Sequence, residues 1–346
     1  MNETQPTESD RRRDRLIETT AALLSFDTQN PPGETRAAME WIYERVSRLN
    51  VETEWIAAEP DKPNLVVTLP GQSDRTLLYA GHLDTVPFDR AAWSVDPFGE
   101  ARDGRLYGRG ATDMKGTVAV MVETLETFAT ADEQPPVTLQ FAFVSDEETG
   151  GEAGIDAVLG TDAIDADAAV VGETTCVGDN YSIAVADKGW IWLTLEASGR
   201  AAHGSRPMNG ENAIDYLYSV IDSCRESVSS LELEYGEAVE RIVAESHEYY
   251  SSCPCGAGTH VEELFAHPTV NLGQLDGGNT VNSVPQTATA ELDVRVTPGA
   301  STEGVLDHIR SCIDAREHVS IREVSWTEGT YVDLSAPIVE AVTDAA

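Results

Sequence analysis

The sequence predicts an α/β protein, a domain built on a largely parallel sheet with a separate α+β domain inserted into it. Three observations predict it. Short apolar strands alternate with amphipathic helices up to about Ala184. Beyond that point come strands of period two, apolar on one face and polar on the other, the mark of an antiparallel sheet open to solvent on one side. After Thr297-Pro298-Gly299 the helix and strand rhythm returns. The expected division is a disordered lead over residues 1–12, an outer domain formed by 13–184 and 299–346, and an inserted domain over 185–298.

Each element has its own signal. From Asp14 onward, Leu16, Ile17, Thr20, Leu23 and Leu24 recur at helical spacing, and Asn30-Pro31-Pro32-Gly33 breaks the chain after them. A second helix runs from Glu34 to about Leu49, with Ala38, Trp41, Ile42 and Val46 on one stripe. Strands follow at 51–56, 64–69 and 76–81, then a glycine-rich loop region over 86–109. Met114, Val118, Met121, Val122 and Leu125 define the core face of the next helix. Leu139, Phe141 and Phe143 alternate along a strand, and Ala168 to Gly172 form another. In the inserted domain Ile191, Leu193, Leu195 and Ala197 make the apolar face of one strand, and Ala288, Ala290, Leu292, Val294 and Val296 that of a second. A helix over 211–230 is expected to cover them. The acidic stretch 231–264 has little periodicity and reads as irregular. A helix over 301–315, a strand over 319–324 and the start of a helix at Pro337 complete the pattern.

At 346 residues and 41% hydrophobic content the chain suits a globular protein of two domains. Its charge is unusual: 60 acidic residues against 23 basic ones leave −37, and the lysines are Lys62, Lys115 and Lys188 alone. Acidity spread along the whole chain is self-repelling in dilute buffer and relieved by molar salt, where the Debye length shrinks to about 3 Å. The expectation is a halophilic, cytoplasmic protein. A docking surface for a polycation is the weaker reading, because the charge is not clustered. The basic footprint of a nucleic-acid binder is absent, and no apolar run approaches the roughly 20 residues of a membrane span. The polar first fifteen residues argue against a standard signal peptide. Five cysteines at irregular spacing are no disulfide framework. Cys253-Pro254-Cys255 beside His260 could form a small metal or redox site, though the spacing is atypical for paired thiolates.

The chemistry gathers at strand ends. Thr76 to Gly81 runs into His82-Leu83-Asp84, and on an extended chain residues two apart share a side. An imidazole and a carboxylate so placed suit a metal ligand and the acid that orients it, although a purely structural pair looks the same. Two further strands run into Glu147-Glu148 and into Glu173, and Asp113 sits where a glycine-rich loop enters a helix. One imidazole and several acids on one sheet edge, with no thiolate, form the donor set of catalytic zinc or a related divalent ion.

Four ordered segments, Gly81-His82-Leu83-Asp84-Thr85-Val86-Pro87, Gly108-Arg109-Gly110-Ala111-Thr112-Asp113-Met114-Lys115-Gly116, Asp146-Glu147-Glu148 and Gly172-Glu173-Thr174-Thr175, carry a resemblance. They resemble the motifs of the di-zinc metallopeptidase and amidohydrolase family that contains aminoacylases, acetylornithine deacetylases, succinyl-diaminopimelate desuccinylases and glutamate carboxypeptidases. The likeness spans about residues 14–340. It implies a phosphorylase/hydrolase-like zinc-hydrolase domain with an inserted lid and dimerisation domain. It also implies two Zn2+ per subunit, with Co2+ as a substitute. Asp113 would bridge the metals, His82 and Glu173 would complete one site, and Glu148 would bind the other. Asp84 would orient His82, Glu147 would be the general base, and the Asp113–Met114 peptide would be cis. Such a metal pair shares a water and polarises the scissile carbonyl, and an acid beside it carries the proton to the leaving amine.

In the inserted domain, Lys188-Gly189-Trp190, Gly199 to Pro207 and Gly210 to Ala213 match as well. The resemblance implies that His203 stabilises the oxyanion in the active site of a partner subunit, within a homodimer paired through the lid. Asn282 and Arg295 would hold the carboxylate of a small N-acyl amino acid or short peptide. For Arg295, a surface salt bridge with Asp293 or Glu291 is the equal alternative. The expected activity is hydrolysis of an N-acyl amino acid, of deacetylase or desuccinylase type. The alternatives are a di- or tripeptidase or carboxypeptidase of the same family, and a catalytically impaired dimerisation or binding protein. That last alternative arises because the family pattern carries one more histidine ligand in a late glycine-rich segment, and the sequence stops at Ala346 without it. The expectation is a fragment of a longer enzyme.

Overall fold

The computed structural model describes residues 7–174, 182–252, 261–314 and 316–345, and the chain divides at Thr174 into two compact units. Cys253, Pro254, Cys255 and His260, the candidate thiol site, lie outside the described residues.

In the first unit, α1 (Glu8–Leu24) and α2 (Arg36–Val46) precede the hairpin β1 (Glu52–Ile56) and β2 (Asn64–Leu69). Then come β3 (Thr76–His82), the ribbon β4 (Glu100–Arg102) and β5 (Arg105–Tyr107), α3 (Lys115–Ala129), β6 (Thr138–Val144), α4 (Ile155–Leu159) and β7 (Ala168–Val171). Helix α1 begins earlier than its apolar spacing suggests, because Thr7 and Asp10 cap it reciprocally. Thr7 Oγ1 accepts from the Asp10 N–H at 3.1 Å, and Asp10 Oδ2 accepts from the Thr7 N–H at 3.0 Å. Residues 8–12, expected within a disordered lead, are therefore helical.

The sheet has the order β1-β2-β6-β3-β7. Strand β3 runs parallel to both β6 and β7, and β2 pairs antiparallel with β6 and with β1. The strand and helix alternation thus yields the parallel part, while residues 57–63 between β1 and β2 are too few for a crossover and make a hairpin. Strands β2 and β6 are buried almost throughout, which matches their apolar runs. Leu65, Val67, Phe141 and Phe143 face Ile42 of α2 and Val118 and Val122 of α3, while Val66, Ala142 and Val144 face Val158 of α4.

The second unit contains β8 (Ala186–Asp187), β9 (Gly189–Ser198), α5 (Ala213–Ser229), α6 (Glu237–Ser252), α7 (Val261–Ala266), β10 (Thr269–Gly277) and β11 (Thr287–Val296). It continues through α8 (Thr302–Asp314), β12 (Val319–Thr327), β13 (Thr330–Tyr331) and α9 (Pro337–Ala345). Its main sheet, β10-β11-β9-β12, is antiparallel throughout, and both outer strands carry a register shift, at Leu272/Gln274 and at Ile321/Glu323. Helices α5 and α8 cover the apolar face, with Leu217, Ile221, Leu306 and Ile309 against Ile191, Leu193, Leu292 and Val294.

Two expectations are corrected. The stretch 231–264 is not simply irregular, since α6 occupies Glu237–Ser252 and buries Val239 and Ile242. Its many glutamates diluted that apolar stripe. Nor does the chain leave the antiparallel sheet at 299: β12 pairs with β9, and Leu306 and Ile309 of α8 join the same core. A helix followed by a strand has the same pattern in either domain, so the sequence could not assign it. No described helix is long and apolar enough to cross a membrane.

Candidate metal centre

Strands β3, β6 and β7 bring their C-terminal ends to one edge, where ligands of open α/β sheets bind. Strand β3 ends on His82, β6 runs out into the tight turn of Asp146 to Thr149, and β7 runs out into Gly172 and Glu173. Asp113 comes from the turn before α3, and the Asp113–Met114 peptide is cis. Glycine is required where this turn presses on the strand end: a Cβ on Gly81 would lie 2.7 Å from Met114 Cε.

His82 is the hub, 1% exposed. Its Nε2 lies 3.1 Å from Asp113 Oδ1, 3.2 Å from Glu173 Oε1 and 3.8 Å from Glu147 Oε2. Its Nδ1 lies 2.9 Å from the Asp84 carbonyl and 3.4 Å from Asp84 Oδ1. The wholly buried Asp84 also accepts the backbone N–H of Glu147 at 3.1 Å and of Glu148 at 3.0 Å. One carboxylate therefore fixes both the imidazole and the turn bearing the two glutamates.

His82, Asp113 and Glu173 hold one ligand atom each within 4.8 Å of one another, and so do His82, Glu147 and Glu148. Burial opposes a charged His82, yet the Asp84 and Glu173 carboxylates outweigh it and push the imidazole up to about 11. Burial is also the main cause raising the Glu147 and Glu148 carboxyls, and neighbouring acids add to it. Acids crowded on an imidazole in this way favour positive charge among them, and the mixed nitrogen and oxygen donors suit a divalent cation. The residues fit the implied metal.

In the second unit, His203 forms an isolated bridge to Ser283, and the Gly204 N–H donates to the Asn282 carbonyl at 2.7 Å. His203 and Asn282 are thus neighbours, beside a cavity of ≈ 560 Å³ lined by Gly204, Asn279, Thr280 and Ser283. His203 is exposed, and its Nδ1 accepts from the Ser205 N–H at 3.1 Å. Arg295 is elsewhere: it lies toward the far end of β11 from the loop of Asn282, roughly 25 Å away at about 3.3 Å per residue. Its Nε donates to Asp293 Oδ1 at 2.8 Å, the salt bridge held open as the alternative.

Four residues of the centre were not singled out from the sequence. Asn30, read as a chain breaker, donates to Asp84 Oδ2 at 2.8 Å. Asp146, read only as part of a motif, pairs with Lys62 at 2.5 Å. Lys115 is buried beside Asp113, its Nζ donating to the Phe26 carbonyl at 2.8 Å, and burial lowers it to about 8. Lysine scarcity was the available signal for Lys62 and Lys115.

A donor cluster of this kind on a parallel-sheet edge, with acids held beside an imidazole, fits a metal-dependent hydrolase. The chain belongs to peptidase family M20/M25/M40, whose model matches residues 78–346. It is 28% identical over 297 residues to an acetylornithine deacetylase of Vibrio campbellii, covering 85% of this chain and 70% of that protein. It is 31% identical over 251 residues to one of Shigella sonnei, covering 72% of this chain and 57% of that protein. In fold it is similar to an M20 family metallo-carboxypeptidase of Sulfolobus solfataricus, with a TM-score of 0.74 and 18% identity over 95% of this chain and 82% of that one.

Proposed function

We propose that this protein hydrolyses the amide bond of an N-acyl amino acid, as a deacetylase. The observation that carries the reaction type is the convergence of Asp113, Glu173 and Glu147 on His82 Nε2. The substrate class is supported by the likeness to proteins named acetylornithine deacetylase. In this reading His82, Asp113, Glu148 and Glu173 would hold zinc, for which cobalt could substitute. Bound zinc would supply Lewis acidity toward the scissile carbonyl and acidify water.

The remaining work falls to side chains. Asp84 keeps the proton of His82 on Nδ1, leaving Nε2 as the donor atom. Glu147, its carboxyl raised by burial, accepts a proton from the attacking water and delivers it to the departing amine nitrogen. Water thereby ends as the carboxylate oxygen of the acyl product and the proton of the free amine. The exposed His203 supports a role in trans, donating to the developing oxyanion of a second copy's substrate in a homodimer paired through the second unit. Asn282 beside it would bind the amino-acid carboxylate.

The test is turnover of a panel of N-acetyl and N-succinyl amino acids and dipeptides by zinc- or cobalt-loaded protein in molar salt. Hydrolysis of the acetylated members is the expected result. Cleavage of dipeptides alone would move the protein to the peptidase reading. No turnover with no metal retained would leave a binding or dimerisation role.

A further inference from the structure

We propose that Lys62 is a positioning residue of the metal centre, acting through Asp146 and Asn30 on the turn that presents Glu147 and Glu148. The inference rests on the reading of that centre given above. Lys62 lies in the loop between β1 and β2 and approaches the centre from the antiparallel side of the sheet. Its ammonium is 2.5 Å from Asp146 Oδ1, and the two side chains are 15% and 7% exposed.

Asp146 needs such an anchor. Its φ is 65°, in the left-handed region that residues other than glycine seldom occupy. Holding that conformation immediately before Glu147 turns the chain so that both following glutamates face the edge bearing His82. Four donors converge on the Asp146 carboxylate. Oδ1 receives Lys62 Nζ, Asn30 Nδ2 at 3.1 Å and Thr149 Oγ1 at 2.8 Å, and Oδ2 receives the Ala153 N–H at 3.1 Å. Lys62 supplies the positive charge among them.

Asn30 links this anchor to the second one. Its amide reaches Asp84 Oδ2 as well as Asp146 Oδ1, and Asp84 in turn receives the N–H groups of Glu147 and Glu148. The glutamate turn is therefore held by one carboxylate at its backbone amides and by another at its entry. Without Lys62, the buried Asp146 charge loses its counter-ion, and the left-handed entry loses the contact that ties it to the β1–β2 loop.

The test compares Lys62→Met and Lys62→Arg with the parent protein by three measurements. These are kcat and KM on the best acylated substrate, zinc affinity by competition with a chelator, and hydrogen–deuterium exchange over 146–153. Lys62→Met is expected to lower kcat and zinc affinity roughly tenfold to 100-fold. It should leave KM nearly unchanged and speed exchange at the Glu147 and Glu148 amides, and Lys62→Arg should recover most of each loss. If Lys62→Met does not fold, Lys62→Gln carries the same readings. Unchanged zinc affinity and local exchange would overturn the proposal. So would a general loss of stability that Lys62→Arg repairs without restoring kcat. A parent protein inactive on every substrate, whose zinc affinity and turn exchange still respond to Lys62→Met, would sink the deacetylase reading and leave this inference standing.

Discussion

The Glu148 backbone N–H donates to Asp84 Oδ2 at 3.0 Å, while the other oxygen of that carboxylate lies 3.4 Å from His82 Nδ1. A single buried acid thus couples the imidazole at the end of β3 to the turn after β6. Asp84→Asn keeps the shape but puts an NH2 group where one of the donors now points. Zinc affinity and kcat should fall together, each about tenfold to 100-fold, as metal titration and steady-state kinetics would show. Loss of kcat with full zinc affinity would contradict the coupling.

Glu147→Gln separates proton transfer from metal binding. The amide cannot accept the proton of the attacking water, so kcat should drop by about 10²–10⁴. Metal content by mass spectrometry and the melting temperature should stay near those of the parent, because Gln retains the backbone bond to Asp84. A variant that also lost its metal would make Glu147 a ligand.

Chelation tests whether the acids around His82 are built for a cation. Stripping metal should abolish turnover and lower the melting temperature, and zinc or cobalt should restore both. At free metal 100-fold above Kd the stabilisation is about 2.7 kcal/mol. A melting temperature indifferent to zinc would count against a formed site.

Acid stability should depend on Glu123, far from the centre. It is nearly buried and accepts from Thr19 at 2.8 Å, Arg45 at 2.9 Å and Arg15 at 3.2 Å. Burial alone would raise its carboxyl, but the bonds to Thr19 and Arg45 outweigh burial and lower it from 4.5. A carboxyl depressed in the folded state stabilises fully above its unfolded pKa and loses that contribution as pH falls through the folded one. Below pH about 4.5 the parent should therefore lose stability faster than Glu123→Gln. At pH 7 the variant should be the weaker by about 2 kcal/mol, measured by urea unfolding.

The sequence made the parallel core and the cluster of acids around His82 legible for a local reason. His82, Glu147, Glu148 and Glu173 all follow apolar strands directly, and strand ends are where chemistry can be read from neighbours in the chain. What escaped was non-local. Lys62 meets Asp146 across 84 residues, and nothing in Pro60-Asp61-Lys62-Pro63 signals a partner. The strand at 319–327 was visible as a strand, but its pairing with β9 is a tertiary fact that alternation alone cannot supply. Arg295 shows the converse: it sits in one sequence motif with Asn282, while β11 carries the two apart.

The register shifts in β10 and β12 bear on behaviour in concentrated solution. Both are edge strands, whose unpaired N–H and C=O groups could otherwise template growth by strand addition. The shift in β12 leaves Glu323 to Thr327 as its longest regular stretch, and that in β10 splits the strand into two shorter ones. Neither edge therefore offers an uninterrupted ladder, which disfavours open-ended growth by strand addition.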